Sequence, residues 1–580
     1  MIKKYSQFLI KVQGLILGLV FFALALESNA APATVQSQPD AGQILNEIER
    51  DLKMKPQQAA PKAVEEAPEA VDENEQKVVI KHFKFKGNHV LVSDDLEGAL
   101  SVIMNREITI KQLKGAVDII SSFYREHGYV AVATLPDQDI TEGEVEIDVV
   151  EAVFGGVKFD GSYGKDFNRV KPNVIEKIIT HQMPKDQPLN QDQLDRGLLI
   201  VNDLPGVKVE AGLAAGEAEG QTVSLLKVKD QPLFSTSASD DNSGSKSTGR
   251  NKYSANASLF SPLHLGDLFA VNLMHSDGTD YGRLSYSLPV GGSGLILGVN
   301  ASYMHYDIIL SSFASTLPQG RSSSLGLEAR YPILRSNTTN LNFSANLDQK
   351  NFYNTTTSGV TSDYTVNVVS ATLSADRTNI WLSGGQDSAS INLGVGNVDL
   401  NGSPNQSTDA GSTGPHTDGG YARLKWNADR NQFLTDMLNL NLNASGQFAS
   451  KNLDSSEKFY LGGASGVRAY PTNEGGGSDG YLLSAELRRY LPYDLSLSGF
   501  VDYGHVKQFI ENAGQLTAVN NYDLKGYGAS LGWQGPHNTN LKLTWSHRIG
   551  ENPNPIAATG KDQDGSLNVN QLWFSASIVY

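Results

Sequence analysis

The chain has 580 residues, no cysteine and a formal net charge of -16 at pH 7. This length exceeds that of one ordinary domain, and the absence of cysteine excludes disulfides, thiolate metal sites and a thiol nucleophile. The negative charge argues against nucleic-acid binding, which requires a basic surface. Hydrophobic residues make up only 39% of the chain, which favours turns and one-sided strands over a thick soluble core.

The first thirty residues are predicted to be a secretory signal peptide. Lys3, Lys4 and Lys11 precede an uncharged apolar run at residues 15–26, and small residues follow up to Ala30. A signal peptidase recognises this order of basic, apolar and small residues. The apolar run is too short for a permanent membrane span, so a retained signal anchor is the weaker alternative.

Residues 31–77 are predicted to contain a short amphipathic helix and a flexible linker. The helix, at about residues 40–54, places four aliphatic side chains on one face: Ile44, Leu45, Ile48 and Leu52. Asp40 and Gln43 have the spacing of a capping box at its start. Residues 56–75 are rich in Pro, Ala, Glu and Gln, as in a flexible tether. A tethered helix can dock in one state and leave in another, and a frayed helix without a task is the alternative.

Residues 78–154 and 155–230 are predicted to be two copies of one small α/β unit. Each copy has the order strand, helix, helix, strand, strand, which follows from its helical and strand periodicities. The first copy has a predicted strand at 78–85, helices at 93–104 and 109–126, and strands at 129–135 and 144–154. The second has a predicted strand at 156–160, helices from 172 and from 190, and strands at 207–213 and 222–229.

Residues 231–580 consist of segments of about ten residues in which apolar and polar side chains alternate. The last segment places five apolar residues on one side: Leu572, Phe574, Ala576, Ile578 and Tyr580. Such alternation indicates a sheet with one apolar face. Long and short connections alternate along the segment, which is typical of a transmembrane barrel. We therefore predict about sixteen antiparallel strands closed into a transmembrane barrel, rather than a globular sandwich.

One long connection, residues 451–479, carries an isolated arginine, Arg468, among small residues. On the strand predicted from residue 495, alternation directs Phe500 and Asp502 to the inside of the barrel. On the preceding strand the inward-facing residues are Ser484, Glu486 and Arg488. A guanidinium removed from water requires a carboxylate partner. The sequence therefore predicts that the connection folds into the barrel and that Arg468 pairs with Asp502.

These motifs resemble those of the TpsB family of two-partner-secretion transporters, the ShlB/FhaC/HecB group that exports haemolysins and filamentous adhesins. V-R-A-Y at 467–470 is similar to the tip of the family's sixth loop, and F-V-D-Y-G at 500–504 is similar to its F-x-D-x-G strand motif. The two small units resemble POTRA domains, with F-K-G-N at 85–88 where the first strand of such domains ends. The resemblance implies a loop lock made of Val467, Arg468, Tyr470, Phe500, Asp502 and Gly504.

One position departs from the family pattern. Ala469 stands where the family usually has glycine. A position that needs a positive φ or a close backbone approach accommodates alanine poorly. Alanine is therefore expected to strain the loop tip if residue 469 requires such a conformation or approach.

The resemblance also implies a mechanism of protein export across the outer membrane of a Gram-negative bacterium. POTRA domains in the periplasm would capture an unfolded TpsA-type exoprotein through its N-terminal secretion domain, or would act only as spacers or assembly contacts. The client would then pass through the barrel, and the helix at 40–54 would plug the resting pore. Further implied partners are outer-membrane lipid and the barrel-assembly machinery, with the chain acting as a monomer and without a cofactor.

No catalytic or metal site is predicted. The G-x-S-x-G match at 476–480 lies in a long loop, without the flanking strand and helix that a nucleophile elbow needs. The acidic stretch at 562–565 lacks the terminal glutamate of a calcium loop. Two other functions stay open: an insertase of other barrels, which would be expected to carry more modules, and a porin-like channel, for which modules and plug would be superfluous. The Arg468–Asp502 pair could also be structural bracing alone.

Overall fold

The computed structural model describes residues 38–52 and 77–580, apart from short stretches at 139, 141–142, 162, 164–168, 219, 380–382, 513–515 and 557. The predicted signal peptide and linker lie outside the described residues. Helix α1 covers Ala41–Leu52 and begins as predicted, since the Asp40 carboxylate accepts a hydrogen bond from the Gln43 amide at 2.8 Å. Within the described part of the chain, no helix is both long and apolar enough to cross a membrane.

The first module contains five strands and two helices around one core. Its elements are β1 Lys77–Val79, β2 His82–Lys86, α2 Ser93–Ala99, β3 Glu107–Thr109, α3 Ile110–Glu126, β4 Ala131–Thr134 and β5 Glu144–Glu151. Strand β5 lies between β2 and β4, while β1 pairs with β3 in a separate ribbon. Helix α3 packs Ile120 and Tyr124 into this core, and its N-terminus has a capping box formed by Thr109 and Gln112.

Three predicted elements of this module have the wrong extent. The strand predicted at 78–85 is divided between β1 and β2, because the amides of Lys81 and His82 both donate to the carbonyl of Gly143. Helix α2 ends well before residue 104, since tight turns replace helical hydrogen bonds from Leu100 onward. The strand predicted at 144–154 breaks at Ala152. The Ala152 amide donates a hydrogen bond to the carbonyl of Val130 in the first module, whereas the next amide, of Val153, donates to Gly220 in the second.

The second module has the predicted order of elements. They are β6 Val153–Phe159, α4 Pro172–Gln182, α5 Gln191–Asn202, β7 Val207–Ala215 and β8 Gln221–Asp230. Strand β8 lies between β6, to which it is parallel, and β7. Proline at the first position of α4 and the Asn190 side chain at the start of α5 fix where the two helices begin.

Sixteen antiparallel strands form a closed barrel, as predicted. In chain order they are β9 Phe234–Asp241, β10 Lys252–Phe260, β11 Leu268–Ser276, β12 Thr279–Val290, β13 Leu295–Asp307, β14 Gln319–Arg335, β15 Thr339–Thr356, β16 Gly359–Asn379, β17 Gly385–Asp399, β18 Gly419–Thr435, β19 Leu438–Ala449, β22 Asp479–Leu491, β23 Leu495–Lys507, β24 Asn521–Gly535, β25 Thr539–Arg548 and β26 Asn570–Val579. Three short elements lie in connections: α6 Gln406–Asp409, β20 Phe459–Tyr460 and β21 Gly476–Gly477. Closure leaves no free sheet edge in the barrel.

The faces of the strands are as predicted, but several strands are longer than expected. On β23, Leu497 is exposed on the outer surface, while Phe500 and Asp502 are buried inside. The connection between β18 and β19 is only the two-residue turn 436–437, because backbone pairing of these strands continues up to Thr435 and Leu438 and side-chain hydrogen bonds cross between them. Asp429, for example, accepts a hydrogen bond from Asn443 on the neighbouring strand at 2.5 Å.

The second module is held against the short turns at one end of the barrel. Arg335, at the end of β14, makes a two-pronged contact with Asp203 next to α5, with both N–O distances at 2.8 Å. Arg196 and Gln182 donate to the carbonyls of Pro332 and Gly292 at 2.6 and 3.0 Å. These contacts fix this module at the mouth of the barrel, which we call the module end.

Replacing Arg335 by alanine is expected to loosen this contact modestly. A half-exposed ion pair is worth only about 1 kcal/mol or less, so hydrogen exchange at residues 199–204 should rise by roughly fivefold or less. Arg330→Ala is the matched control, because Arg330 pairs with Glu328 on its own strand. Equal exchange in both variants would contradict a role for Arg335 in docking.

Candidate functional site

The connection between β19 and β22, residues 450–478, turns back into the barrel, and we call it the lumenal loop. Its strands β20 and β21 pair with each other and lead to a tip around residues 461–470. The tip buries four side chains against inward-facing residues of β22, β23 and β24: Leu461, Val467, Ala469 and Tyr470. A loop of small residues thus becomes part of the interior of the barrel.

Arg468 lies at the centre of this interior contact. Its guanidinium donates to both carboxylate oxygens of Asp502, at 2.9 and 2.8 Å, and to Glu486 at 2.7 Å. The Arg468 amide also donates to Asp502. The Ser484 hydroxyl accepts a hydrogen bond from the Arg468 guanidinium and donates one to Asp502. All three charged side chains are buried. Two carboxylates therefore surround one guanidinium, and each charge has a partner in place of water.

The other predicted lock residues surround this charge cluster. The ring of Phe500 lies under the guanidinium, with its centroid 3.3 Å from Cζ of Arg468, a cation–π arrangement. Val467 packs beside Gly504. A Cβ atom at residue 504 would come within 2.6 Å of the Leu461 side chain, so only glycine leaves room for the tip.

Sequence reasoning missed the partners on the last two strands. The backbone carbonyl of Arg468 accepts hydrogen bonds from Ser546 Oγ at 2.5 Å and from Trp573 Nε1 at 2.7 Å. Tyr470 lies beneath Arg548, whose Cζ is 4.3 Å from the ring centroid. A signal was present, since Trp573 falls on the inward side of the last strand, opposite to its apolar neighbours. Glu486 was expected to face inward, but its contact with Arg468 was not foreseen.

Ala469 fits the tip without backbone strain. Its φ angle is negative, and its methyl group is fully buried. The methyl group faces Gly526 of β24, where an added Cβ would lie only 2.5 Å from it. Glycine on the opposing strand therefore provides the room that alanine in the loop requires.

A second connection, residues 549–569, holds the lumenal loop through a buried carboxylate. Glu474 accepts hydrogen bonds from Asn552 at 2.9 Å and from the Gln563 amide at 2.9 Å. Asn552 also donates to Asp562, which is paired with Arg548. Burial, together with the nearby negative charge of Asp562, raises the pKa of Glu474 to about 8.

Opening of this contact is expected to increase as the pH rises toward 8. The pKa of Glu474 is about 8 in the closed contact and returns to its ordinary value of 4.5 when the contact opens, so the stabilising effect is fully present below about 4.5, is lost progressively between these two values and is gone above about 8. Within this window each pH unit costs about 1.4 kcal/mol, roughly tenfold in opening. Hydrogen exchange at residues 473–478, corrected for intrinsic rates, should show this rise. Glu474→Gln should abolish it, and an equal rise in that variant would contradict the assignment.

Helix α1 lies inside the barrel, against a patch of apolar side chains on the inner surface. Ile44, Leu45 and Ile48 are buried in one cluster with residues of β12, β13 and β15 to β18. We call the barrel part of this cluster the lumenal apolar wall; its main members are Tyr281, Met304, Phe352, Tyr364, Val366 and Val398. Leu52, predicted on the same face, is 40% exposed. Leu52 shares the face but not the burial, because the last turn of α1 extends beyond the wall.

Acidic side chains of α1 bind basic and amide groups around the wall. Glu49 pairs with Lys350 of β15 at 3.0 Å, and Asp51 pairs with Lys252 of β10. Glu47 accepts a hydrogen bond from Asn473 of the lumenal loop at 2.6 Å. The helix is therefore attached both to the barrel wall and to the lumenal loop.

The lumen below α1 contains a polar cavity of about 910 Å3. Charged side chains from several strands line it, among them Arg283, Lys425, Arg488 and Lys542. Among the described residues, no group of three or more acidic or histidine side chains is arranged to hold a metal ion. Helix α1 and the lumenal loop thus fill part of the barrel interior, and charged side chains line the space that remains.

A family model described as haemolysin secretion/activation protein ShlB/FhaC/HecB matches residues 220–535, more than half of the chain. The chain belongs to this family. The model of the ShlB-type POTRA domain matches residues 78–152, the first module. As in other ShlB/FhaC/HecB proteins, the barrel lies in the outer membrane and the POTRA domains lie in the periplasm. The module end is therefore periplasmic, and the long connections lie at the extracellular end.

Relatives and solved structures agree with this membership. The heme/hemopexin transporter protein HuxB of Haemophilus influenzae is 27% identical over 454 residues, covering 77% of this chain and 79% of that protein. The hemolysin transporter protein HpmB of Proteus mirabilis is 26% identical, covering 46% of this chain and 47% of its own. In fold, the chain is similar to CdiB from Escherichia coli, with a TM-score of 0.67, 19% identity and coverage of 91% and 93% of the two chains.

Proposed function

We propose that this chain is the transporter of a two-partner secretion system and exports a large secreted protein through its lumen. The observation that carries the proposal is a lumen occluded by two segments that are not part of the wall, α1 and the lumenal loop. Residues 53–76 separate α1 from the first POTRA domain along the chain, so α1 can leave the lumen without any change in the barrel strands. A simple porin has no need of such a removable plug.

The POTRA domains are proposed to receive the client in the periplasm. Strands β4 and β7 each have one neighbour and lie at the edges of their sheets. An extended segment of an unfolded chain can add to such an edge through backbone hydrogen bonds. The client on this proposal is a TpsA-type exoprotein that presents its N-terminal secretion domain. The names of the relatives, transporters of heme/hemopexin and of hemolysin, support a secreted protein as cargo.

The charge cluster at Arg468 is proposed to act as a lock that holds the lumenal loop in its working position. Arg468 binds one carboxylate on β22 and one on β23, so it joins the loop to two neighbouring strands at once.

We further propose that the barrel acts as a monomer and that the barrel-assembly machinery inserts it. No cofactor enters this mechanism.

Export of a TpsA-type exoprotein tests the function. Both proteins are produced together, and the exoprotein is measured in the medium with the full chain and with a variant lacking residues 78–229. The deletion is expected to abolish export while the barrel remains heat-modifiable in the outer membrane. Export that continues without the POTRA domains would overturn the proposal. Impaired assembly of other barrels on depletion of the chain would instead favour an insertase.

A further inference from the structure

The lumenal apolar wall is unusual for the inside of an outer-membrane barrel. Such interiors are normally polar because water fills them. Here inward-facing Met304, Phe352 and Val366, on three different strands, form one buried apolar cluster with their neighbours. Helix α1 covers this surface, together with Leu453 of the lumenal loop. When α1 leaves, the wall faces the lumen, and a contiguous exposed apolar surface marks an interaction site.

The wall also carries positive charges, which favour a bound segment with negative charges. Lys350 and Lys252 are both nearly fully buried and pair with Glu49 and Asp51 of α1. Without α1, Lys350 is left with a longer contact, to Glu457 at 3.7 Å. Glu457 is itself paired with Arg423 at 2.5 Å. The departure of α1 therefore removes the nearer carboxylate from each lysine. An incoming segment with acidic side chains next to aliphatic ones would restore both kinds of contact.

The sequence of helix α1 shows which pattern of side chains fits the wall. Residues 40–52 carry four acidic side chains against one basic one, with aliphatic residues at positions 44, 45 and 48. The wall lies in the lumen, between the POTRA domains and the extracellular end, so a chain in transit passes over it.

We infer that the lumenal apolar wall and its lysines are a binding site for acidic amphipathic segments of the exported chain, which compete with α1 for this surface. The inference rests on the proposed function and specifies which part of the cargo the lumen recognises. Binding of the cargo to the wall displaces α1 and keeps it displaced during transit. The plug on this view occupies the cargo site in the resting pore.

Matched substitutions on the helix and on the wall distinguish a wall that binds the exported chain from a wall that only holds the plug helix. Glu49→Gln and Lys350→Gln remove the same ion pair, one from the helix and one from the wall. Leu45→Asp and Val366→Asp likewise disturb the same apolar cluster from either side. All four variants are expected to open the pore in planar lipid bilayers. Heat-modifiability in the outer membrane shows that each barrel has folded.

The amount of exoprotein exported by each variant then shows whether the wall binds the exported chain. Helix-side variants should export the exoprotein at the wild-type level or above. Wall-side variants should export about tenfold less, as expected for the loss of one charge-assisted hydrogen bond to the cargo. Equal export from the two sides, high or low, would overturn the inference. Absence of export by the wild-type chain would instead be failure of the proposed function.

A peptide probe tests the wall without any export. A synthetic peptide of residues 40–52 is added to the open Leu45→Asp channel, and its block of conductance is measured. Block should occur with this peptide and not with one in which Glu47, Glu49 and Asp51 are replaced by lysine. It should be lost in the channel that also carries Val366→Asp. Block by both peptides, or by neither, would overturn the charge-selective site.

Discussion

Arg468→Ala is expected to abolish export while the barrel still folds. The substitution leaves Asp502 and Glu486 buried without their shared guanidinium. Removal of one partner from a buried ion pair costs about 3–5 kcal/mol, enough to shift the lumenal loop away from its position by more than roughly 100-fold. Export of the exoprotein should fall by at least that order, and loop residues should become accessible to added protease.

Two other variants make this prediction specific. Arg488→Ala is the matched control, because Arg488 also pairs with Glu486 in the lumen but belongs to β22 rather than to the loop. It should leave export nearly unchanged. Arg468→Lys keeps the charge but cannot reproduce the two-pronged contact with Asp502, so it should fall between the two. Wild-type export by Arg468→Ala would contradict the lock and leave the contact as bracing.

Local periodicity explains why most of the barrel and part of this site could be predicted. The inward or outward direction of each side chain follows from a two-residue repeat, so Phe500, Asp502 and Glu486 could be directed to the lumen from a few neighbouring residues. The alternation of long and short connections gave the number of strands. Arg468 could be paired with Asp502 because an arginine in a loop of small residues has few partners that would remove it from water.

Contacts between distant segments carry no such local signal. Trp573 and Ser546 bind the carbonyl of Arg468, a group that every residue possesses. The pairing of Glu49 with Lys350 joins residues about three hundred positions apart, and nothing near either residue indicates the other. The helical repeat places Leu52 on the same face as Ile44 and Ile48, yet Leu52 is 40% exposed. The repeat states which side of the helix is apolar but not where the surface opposite it ends.

Helix α1 and the lumenal loop are joined by several hydrogen bonds, so displacement of the loop also loosens the helix. Asp40 accepts a hydrogen bond from Ser455, and the Asn46 side chain donates to carbonyls at residues 456 and 458. Glu47 holds Asn473 on the other arm of the loop. Weakening the lock at Arg468 is therefore expected to loosen α1 as well. The converse should be weaker, since the loop keeps its carboxylate partners when α1 leaves.

Ile44→Asn is expected to open the resting pore without loss of the barrel. Ile44 is almost fully buried in the cluster with the lumenal apolar wall. Burial of such a side chain is worth about 1.5–3 kcal/mol, so its loss should raise the undocked population of α1 by roughly 10- to 100-fold. Channel openings in planar lipid bilayers should become correspondingly more frequent, and cells should become sensitive to antibiotics too large for ordinary porins.

Leu52→Asn is the matched control for this variant, because it makes the same kind of change on the same helix where the side chain is 40% exposed. It should leave channel openings close to those of the wild-type chain, since little apolar surface returns to water. Equal opening by the two variants, whether frequent or rare, would contradict the prediction that the buried apolar contact of Ile44 holds the plug in the pore.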